Sequence, residues 1–154
     1  MLPEDMKQLL CAFNANGVEH LIVGTYAVGV YSEPRATASL ELFIRPDVKN
    51  SELVDRALGE YGVPLAGVTA ADFHDDPDAV FQIGKAPGRV DILQHIDGVD
   101  FDEAWNARSD AIADGVPVHL ISVEHLIRYK LQSKDLQNEA DVHAIWEADK
   151  AERA

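Results

Sequence analysis

The chain has 154 residues, 47% of them hydrophobic and 26% charged, which suits a single globular domain able to bury a core of its own. Its 27 Asp and Glu outweigh 13 Lys and Arg, giving a net charge of −14. That balance offers no general basic surface to a phosphate backbone, so non-specific nucleic-acid binding is not expected. It leaves room for a local basic pocket, such as one for a nucleoside triphosphate, or for a basic protein partner. No apolar run approaches the roughly 18 residues that would span a bilayer. The opening, from Met1 to Lys7, lacks the basic start and apolar core of a signal peptide, and the cytoplasm is the expected compartment. A single cysteine, Cys11, excludes an intrachain disulfide and fits a small apolar residue on the first helix.

In chain order, residues 3–16 predict an amphipathic helix, with Met6, Leu9, Leu10 and Phe13 at helical spacing and Asn16-Gly17 as its stop. His20 to Val23 is a short apolar run suited to a central strand. Residues 25–32 predict a short helix that ends before Pro34. Ser39-x-Glu41 opens a strand running to Ile44, which Arg45-Pro46-Asp47 closes. A helix over about 48–61 carries Leu53, Val54, Ala57, Leu58 and Tyr61 on one face, with Gly62 as its stop. Residues 63–78, rich in Gly, Pro and Asp, predict a loop with one helical turn. Two strands follow, 79–83 and 89–94, around a turn at 84–88. Phe101 to Arg108 predicts a short helix and Val116 to Ile121 a strand. Ser122 reads as the N-cap of a further helix with Glu124 and His125 in its first turn, and a last helix covers about 135–150. There is no repeat, linker or low-complexity stretch. One α/β domain is expected.

Side chains alternate across a strand, so Ser39, Glu41 and Phe43 share one face and Leu40, Leu42 and Ile44 the other. Asp91 stands between Val90 and Ile92, pointing away from both. A carboxylate among apolar residues is costly to bury unless something cationic or hydrogen-bonding meets it. Two strands therefore each bring a carboxylate to what can be one face of a sheet, as a metal or nucleotide site requires. The competing reading is that Glu41 or Asp91 is paired with Arg35, Arg45 or Arg89.

A larger pattern surrounds these residues. An apolar strand ends at Gly24-Thr25, a short helix follows, and Ser39-x-Glu41 falls about a dozen residues later. The chain also carries Glu33-Pro-Arg35-Ala-Thr37, Phe43-Ile-Arg45-Pro46, Val80-Phe-Gln-Ile-Gly84 and Arg89-Val-Asp91-Ile-Leu93. Further on come Gly98-Val-Asp-Phe101-x-x-Ala104-Trp105, Ile121-Ser122-x-Glu124-x-Leu126-Ile127-x-x-Lys130 and Ala140-Asp141-Val142. Over nearly its whole length the chain thus resembles small single-domain bacterial nucleotidyltransferases, including those found in toxin–antitoxin pairs.

That resemblance implies a nucleotidyltransferase-like mixed sheet flanked by helices, with the strands near 20–23, 39–44 and 89–94 side by side and helices packed on the other face. It implies transfer of a nucleoside monophosphate from a nucleoside triphosphate to an acceptor, supported by Mg²⁺ or Mn²⁺ on carboxylates. Ser39, Glu41 and Asp91 fall at the catalytic positions, Glu41 and Asp91 among them as metal ligands. Gly24, Thr25, Arg35 and Lys130 fall at nucleotide-binding positions, with Gly24-Thr25 offering backbone N–H groups to phosphates. For Lys130 a solvated helix residue is the competing reading. The alternative for the whole chain is a non-catalytic nucleotide-binding or toxin–antitoxin-type interaction module. It is raised by the departures: Ser39 and Glu41 stand where the family has Asp-x-Asp, and Lys134, Asp135 and Asn138 stand where relatives have Gly-Arg-x-x-Asp.

Other candidates carry less. His125 has no second histidine four residues on, so Glu124-His125 is no zincin motif. His119 and His143 read as packing or surface residues. The run from Asp72 to Asp78 lacks the Gly and closing Glu of a calcium loop and reads as an exposed acidic loop. Cys11 has no activating partner in the sequence.

Overall fold

The structure, a computed structural model, describes residues 2–33, 39–63, 67–85, 88–132 and 136–153, with the side chains of 136–139 and 152–153 left out. Helix α1 (Glu4–Ala15) buries Met6, Leu9, Leu10 and Phe13, the residues at helical spacing. It stops at Asn16, whose N–H returns to the Ala12 carbonyl, before Gly17 at φ +68°. Strand β1 (His20–Val23) is buried throughout and leads directly into α2 (Gly24–Tyr31). Strand β2 (Ser39–Ile44) returns antiparallel to β1, and α3 (Val48–Tyr61) follows.

Asp47 caps α3 by accepting from the Asn50 N–H, and Gly62 ends it at φ +95° with its N–H on the Leu58 and Gly59 carbonyls. A Cβ at that left-handed position is strained whatever space surrounds it. We expect Gly62→Ala to cost about 1 kcal/mol in urea denaturation while leaving the sheet intact.

The loop after α3 contains one 3₁₀ turn (Ala70–Phe73), closed by reciprocal bonds between Thr69 and Asp72. Asp75, Asp76 and Asp78 beyond it are exposed, as the acidic-loop reading expects. Strands β3 (Val80–Ile83) and β4 (Arg89–Leu93) form an antiparallel pair, α4 (Phe101–Asn106) follows, and β5 (Ser109–Ala113) and β6 (Val116–Leu120) form a hairpin. Helices α5 (Val123–Gln132) and α6 (Leu136–Arg153) close the chain.

The six strands make one mixed sheet in the order β3-β4-β2-β1-β6-β5, with β4 parallel to β2 and β6 parallel to β1. The three strands expected side by side, β1, β2 and β4, are neighbours at its centre. On one face Ile22, Leu40, Leu42, Ile44, Val90 and Ile92 are buried. Phe13 of α1 meets His20 on that face edge-on, ring centroids 5.2 Å apart, and α1 packs against α3. Helices therefore do cover the face away from Glu41 and Asp91. The carboxylate face is not bare either: Phe101 of α4 stands edge-on to Phe43 at 5.0 Å, and α5 is adjacent to α2 and α6.

Two details differ from expectation. Strand β5 has no counterpart in the reading above. Four of its five residues are exposed and the fifth half-buried, so it shows no apolar alternation. What makes it a strand is its partner β6 and the turn between them, where Asp114 (φ 50°) and Gly115 (φ 82°) both take positive φ. An Asp-Gly pair between two runs is itself a hairpin signal. The second detail is Cys11, which lies on α1 but faces solvent rather than the packed stripe.

Candidate functional site

The register of β2 against β4 builds the site. Ser39 lies opposite Arg89 and Glu41 opposite Asp91, so both carboxylates stand on one face of neighbouring strands, about one strand spacing (~4.8 Å) apart. Asp91 is 7% exposed, and Glu41 is half-buried. Arg89, two residues before Asp91 on the same face, reaches back along the strand. Its Nη2 donates to Asp91 Oδ2 at 3.3 Å. Its Nε lies 3.2 Å from Oδ1 but outside hydrogen-bond geometry, so the buried Oδ1 has a nearby charge and no aligned donor.

The competing reading of Asp91 as one half of an ion pair is therefore correct in part: Arg89 is the partner, and it leaves one oxygen open. Arg45 is occupied elsewhere, between Glu19 and Asp102 and over the Phe101 ring at 4.8 Å.

The Gly24 turn closes against Glu41. Gly24 has φ +73°, and a Cβ placed there would come 2.5 Å from Glu41 Oε2. Only glycine lets this carboxylate approach the start of α2. Thr25, half-buried, is the second residue of the helix. Val23 at the N-cap supplies no side-chain hydrogen bond to the first turn, whose backbone N–H groups face the same end of the sheet. Gly24→Ala is expected to cost about 1–3 kcal/mol, because it combines a strained φ with displacement of Glu41. Urea denaturation of the variant checks this.

Burial is the main cause of a raised Glu41 pKa, and the Asp91 charge adds to it. Lys130 and Arg89 pull the other way. Lys130 on α5 is not a solvated helix residue. Its side chain is 11% exposed and its Nζ lies 3.4 Å from Oδ2 of Asp141 on α6, itself 3% exposed. The neighbouring Tyr129 has its hydroxyl pKa pushed up to about 12, first by burial and then by the charges of Glu41 and Asp97. It therefore remains a neutral O–H donor beside the carboxylates throughout the physiological range.

Glu41, Asp91, Gly24 and Lys130 thus converge, with Ser39 on the same face at the opening of β2. Arg35, Lys134 and Asp135 lie outside the described residues, as does the side chain of Asn138. Asp141 and Tyr129 are part of this neighbourhood, and residue type alone did not single them out as site residues. Asp141 belongs to the Ala140-Asp141-Val142 motif of the resemblance, but its pairing with Lys130 shows only once α6 is laid against α5. The histidines stay apart from the site. His119 Nδ1 lies 2.6 Å from Asp110, His125 packs on the Ser122 cap, and His143 is exposed. Among the described residues no group of three or more His, Cys, Asp or Glu is arranged to hold a metal, and no helix is long and apolar enough to cross a membrane.

No family model matches the chain, and no curated protein matches its sequence. Among solved structures it is similar to the crystal structure of an antigenic nucleotidyltransferase-like protein from Paracoccidioides brasiliensis. The two share a TM-score of 0.53 and 15% identity, over 96% of this chain and 77% of that one. At that identity the likeness is one of fold. The chain has an α/β nucleotidyltransferase-like fold, a mixed sheet flanked by helices.

Proposed function

We propose that the protein binds a nucleoside triphosphate with a divalent cation at Glu41 and Asp91, and transfers the nucleoside monophosphate to an acceptor. The single observation that carries this reading is the in-register pairing of the two carboxylates beside the Gly24 turn. Burying two acids side by side is unfavourable unless positive charge meets them; Arg89 pairs with Asp91, while Lys130 and Arg89 reach Glu41 by charge without an ion pair among the described residues.

The residues present fit one Mg²⁺ or Mn²⁺. Asp91 keeps a buried oxygen without a hydrogen bond, and Glu41, with its raised pKa, gains from a nearby positive charge. Such ions are commonly held by one or two carboxylates, with water and phosphate oxygens completing the shell. When bound, the ion neutralises charge on the triphosphate.

The chain's own groups would do the rest. The N–H groups of the first turn of α2, which Val23 does not cap, and the Thr25 hydroxyl would donate to phosphate oxygens. Lys130 adds a positive charge beside Glu41. Tyr129 offers its O–H. In the transfer an acceptor oxygen forms a bond to the α-phosphorus while the bond from that phosphorus to the bridging oxygen breaks, and pyrophosphate leaves.

A second reading, a non-catalytic nucleotide-binding or interaction module, is favoured by Ser39, which supplies a neutral hydroxyl where a third carboxylate would complete the ligand set. Incubation with each of the four labelled nucleoside triphosphates, in Mg²⁺ and in Mn²⁺, separates the two. Transfer of label to protein or RNA acceptors supports the enzyme. Metal-dependent binding without transfer supports the nucleotide-binding module, and neither outcome at millimolar nucleotide leaves only the interaction module.

The fold and charge bear on partners as well. With a net charge of −14, a protein partner for this chain would carry a basic surface. Pull-down with lysine-rich and acidic proteins at low and high salt checks this: capture by both alike would remove the electrostatic argument.

A further inference from the structure

Lys130 and Asp141 form a nearly buried ion pair joining α5 to α6, with Nζ to Oδ2 at 3.4 Å and side-chain exposures of 11% and 3%. A lysine in such a place has four rotatable bonds to fix and a charge to compensate. Helix α5 packs against α2, whose first residue Gly24 closes on Glu41, and the little-exposed Lys130 ammonium is near enough for its charge to act on that carboxylate. Asp141 belongs to α6, which packs against α5. On that helix Val142 and Ile145 are buried beside it. An ion pair of this kind, once its partner is removed, leaves a charge without compensation, and the side chain then seeks water.

From this arrangement we propose that Asp141 is a positioning residue, which fixes the ammonium of Lys130 toward the Glu41–Asp91 pocket so that it meets a phosphate bound there. The proposal rests on the nucleotide reading given above. It also gives α6 a role at that site, since its Asp141 carboxylate acts through the lysine of α5. The reverse pairing, Glu41 as the anchor of Lys130, is disfavoured because Glu41 makes no ion pair with Lys130 within 4 Å among the described residues, whereas Asp141 does.

Calorimetry of ATP binding in Mn²⁺ tests the proposal on the whole chain, alongside melting curves and the ¹³Cε resonance of Lys130. Lys130→Met and Asp141→Asn are each expected to weaken ATP binding at least fivefold. The double variant should bind no more weakly than Lys130→Met alone, because both changes remove one function. Asp141→Glu should restore affinity to within about twofold of the unaltered protein. In Asp141→Asn the Lys130 resonance should shift, and in Asp141→Glu it should return. Asp141→Ser serves as a second truncation if the amide loosens α5 from α6.

Asp141→Asn with a lowered melting temperature, unaltered ATP affinity and an unmoved Lys130 resonance overturns the proposal, as does strict additivity in the double variant. If the unaltered protein binds none of the four triphosphates, the nucleotide reading falls by itself. The Lys130 resonance then still decides the positioning: a shift in Asp141→Asn upholds it, and an unmoved signal rejects it.

Discussion

Asparagine in place of Asp91 is expected to weaken metal-dependent nucleotide binding by about a hundredfold or more, and to take any transfer activity to background. Among the described residues two carboxylates, Glu41 and Asp91, pair in register at the site, so the change removes half of that anionic pair, and each 1.4 kcal/mol lost corresponds to a factor of ten. The fold should tolerate the change. Arg89, the partner left behind, is 38% exposed along its side chain and can turn to solvent. The amide keeps the volume of the acid between Val90 and Ile92. Titration of ATP at fixed Mn²⁺, with a melting curve for each protein, reads both quantities. A variant that melts early and binds normally when folded would show that Asp91 serves the sheet and not a ligand.

The complementary change tests what Ser39 removes. Ser39→Asp with Glu41→Asp places two shorter acids on the face that Asp91 shares, and is expected to raise transfer at least tenfold if the pocket otherwise accepts a nucleotide. If the pocket does not, the two new charges crowd Asp91 without a cation. Stability then falls, activity stays at background, and melting remains indifferent to Mg²⁺. That pattern counts against the enzyme and for the binding module.

Acid should destabilise the protein as pH falls below 6.5, and His20 is one reason. His20 is fully buried on β1, edge-on to Phe13 at 5.2 Å and to His119 at 5.4 Å. Its Nδ1 lies 3.0 Å from the Val18 carbonyl, and its Nε2 has no hydrogen-bond partner among the described residues. Burial lowers its pKa from 6.5 to about 4. The Val18 carbonyl opposes that shift, and the nearby His119 adds a little to it.

A group whose folded pKa is depressed binds its proton more readily when unfolded. Between pH 6.5 and about 4 the unfolded chain therefore carries the extra proton, and stability falls as pH falls through that window. Above pH 6.5 the contribution is constant. The shift corresponds to about 3 kcal/mol at the acid end, a large share of a typical domain's stability. Urea denaturation at pH 7, 5.5 and 4.5 measures it, and His20→Leu should remove one proton's worth of slope. An unchanged slope in that variant would assign the acid sensitivity to carboxylates instead.

Much of this site is legible along the chain because it depends on period and on glycine. A strand alternates with period two, so Ser39, Glu41 and Phe43 had to share a face, and Asp91 had to oppose Val90 and Ile92. Gly24 before a helix marks a place where backbone or ligand comes close, and the carboxylate that comes close is Glu41. The helices α1 and α3 followed from apolar stripes, their ends from Asn16-Gly17 and Gly62.

Local structure follows from the order of residues: which are strand, which are helix, and which side of each is apolar. Tertiary structure decided which strands are neighbours, and hence that Glu41 stands directly opposite Asp91, because register depends on pairings between segments some fifty residues apart. It decided that Arg89 rather than Arg45 compensates Asp91, since each arginine goes to the carboxylates within its reach. It made a strand of Ser109–Ala113, which has no apolar alternation and is held by the hydrogen bonds of β6. It buried His20 without a partner for Nε2 among the described residues, and it laid α6 against α5 so that Asp141 holds Lys130. Each of these is a contact between distant parts of the chain, and its energy exists only when both parts have been brought together and water has left between them.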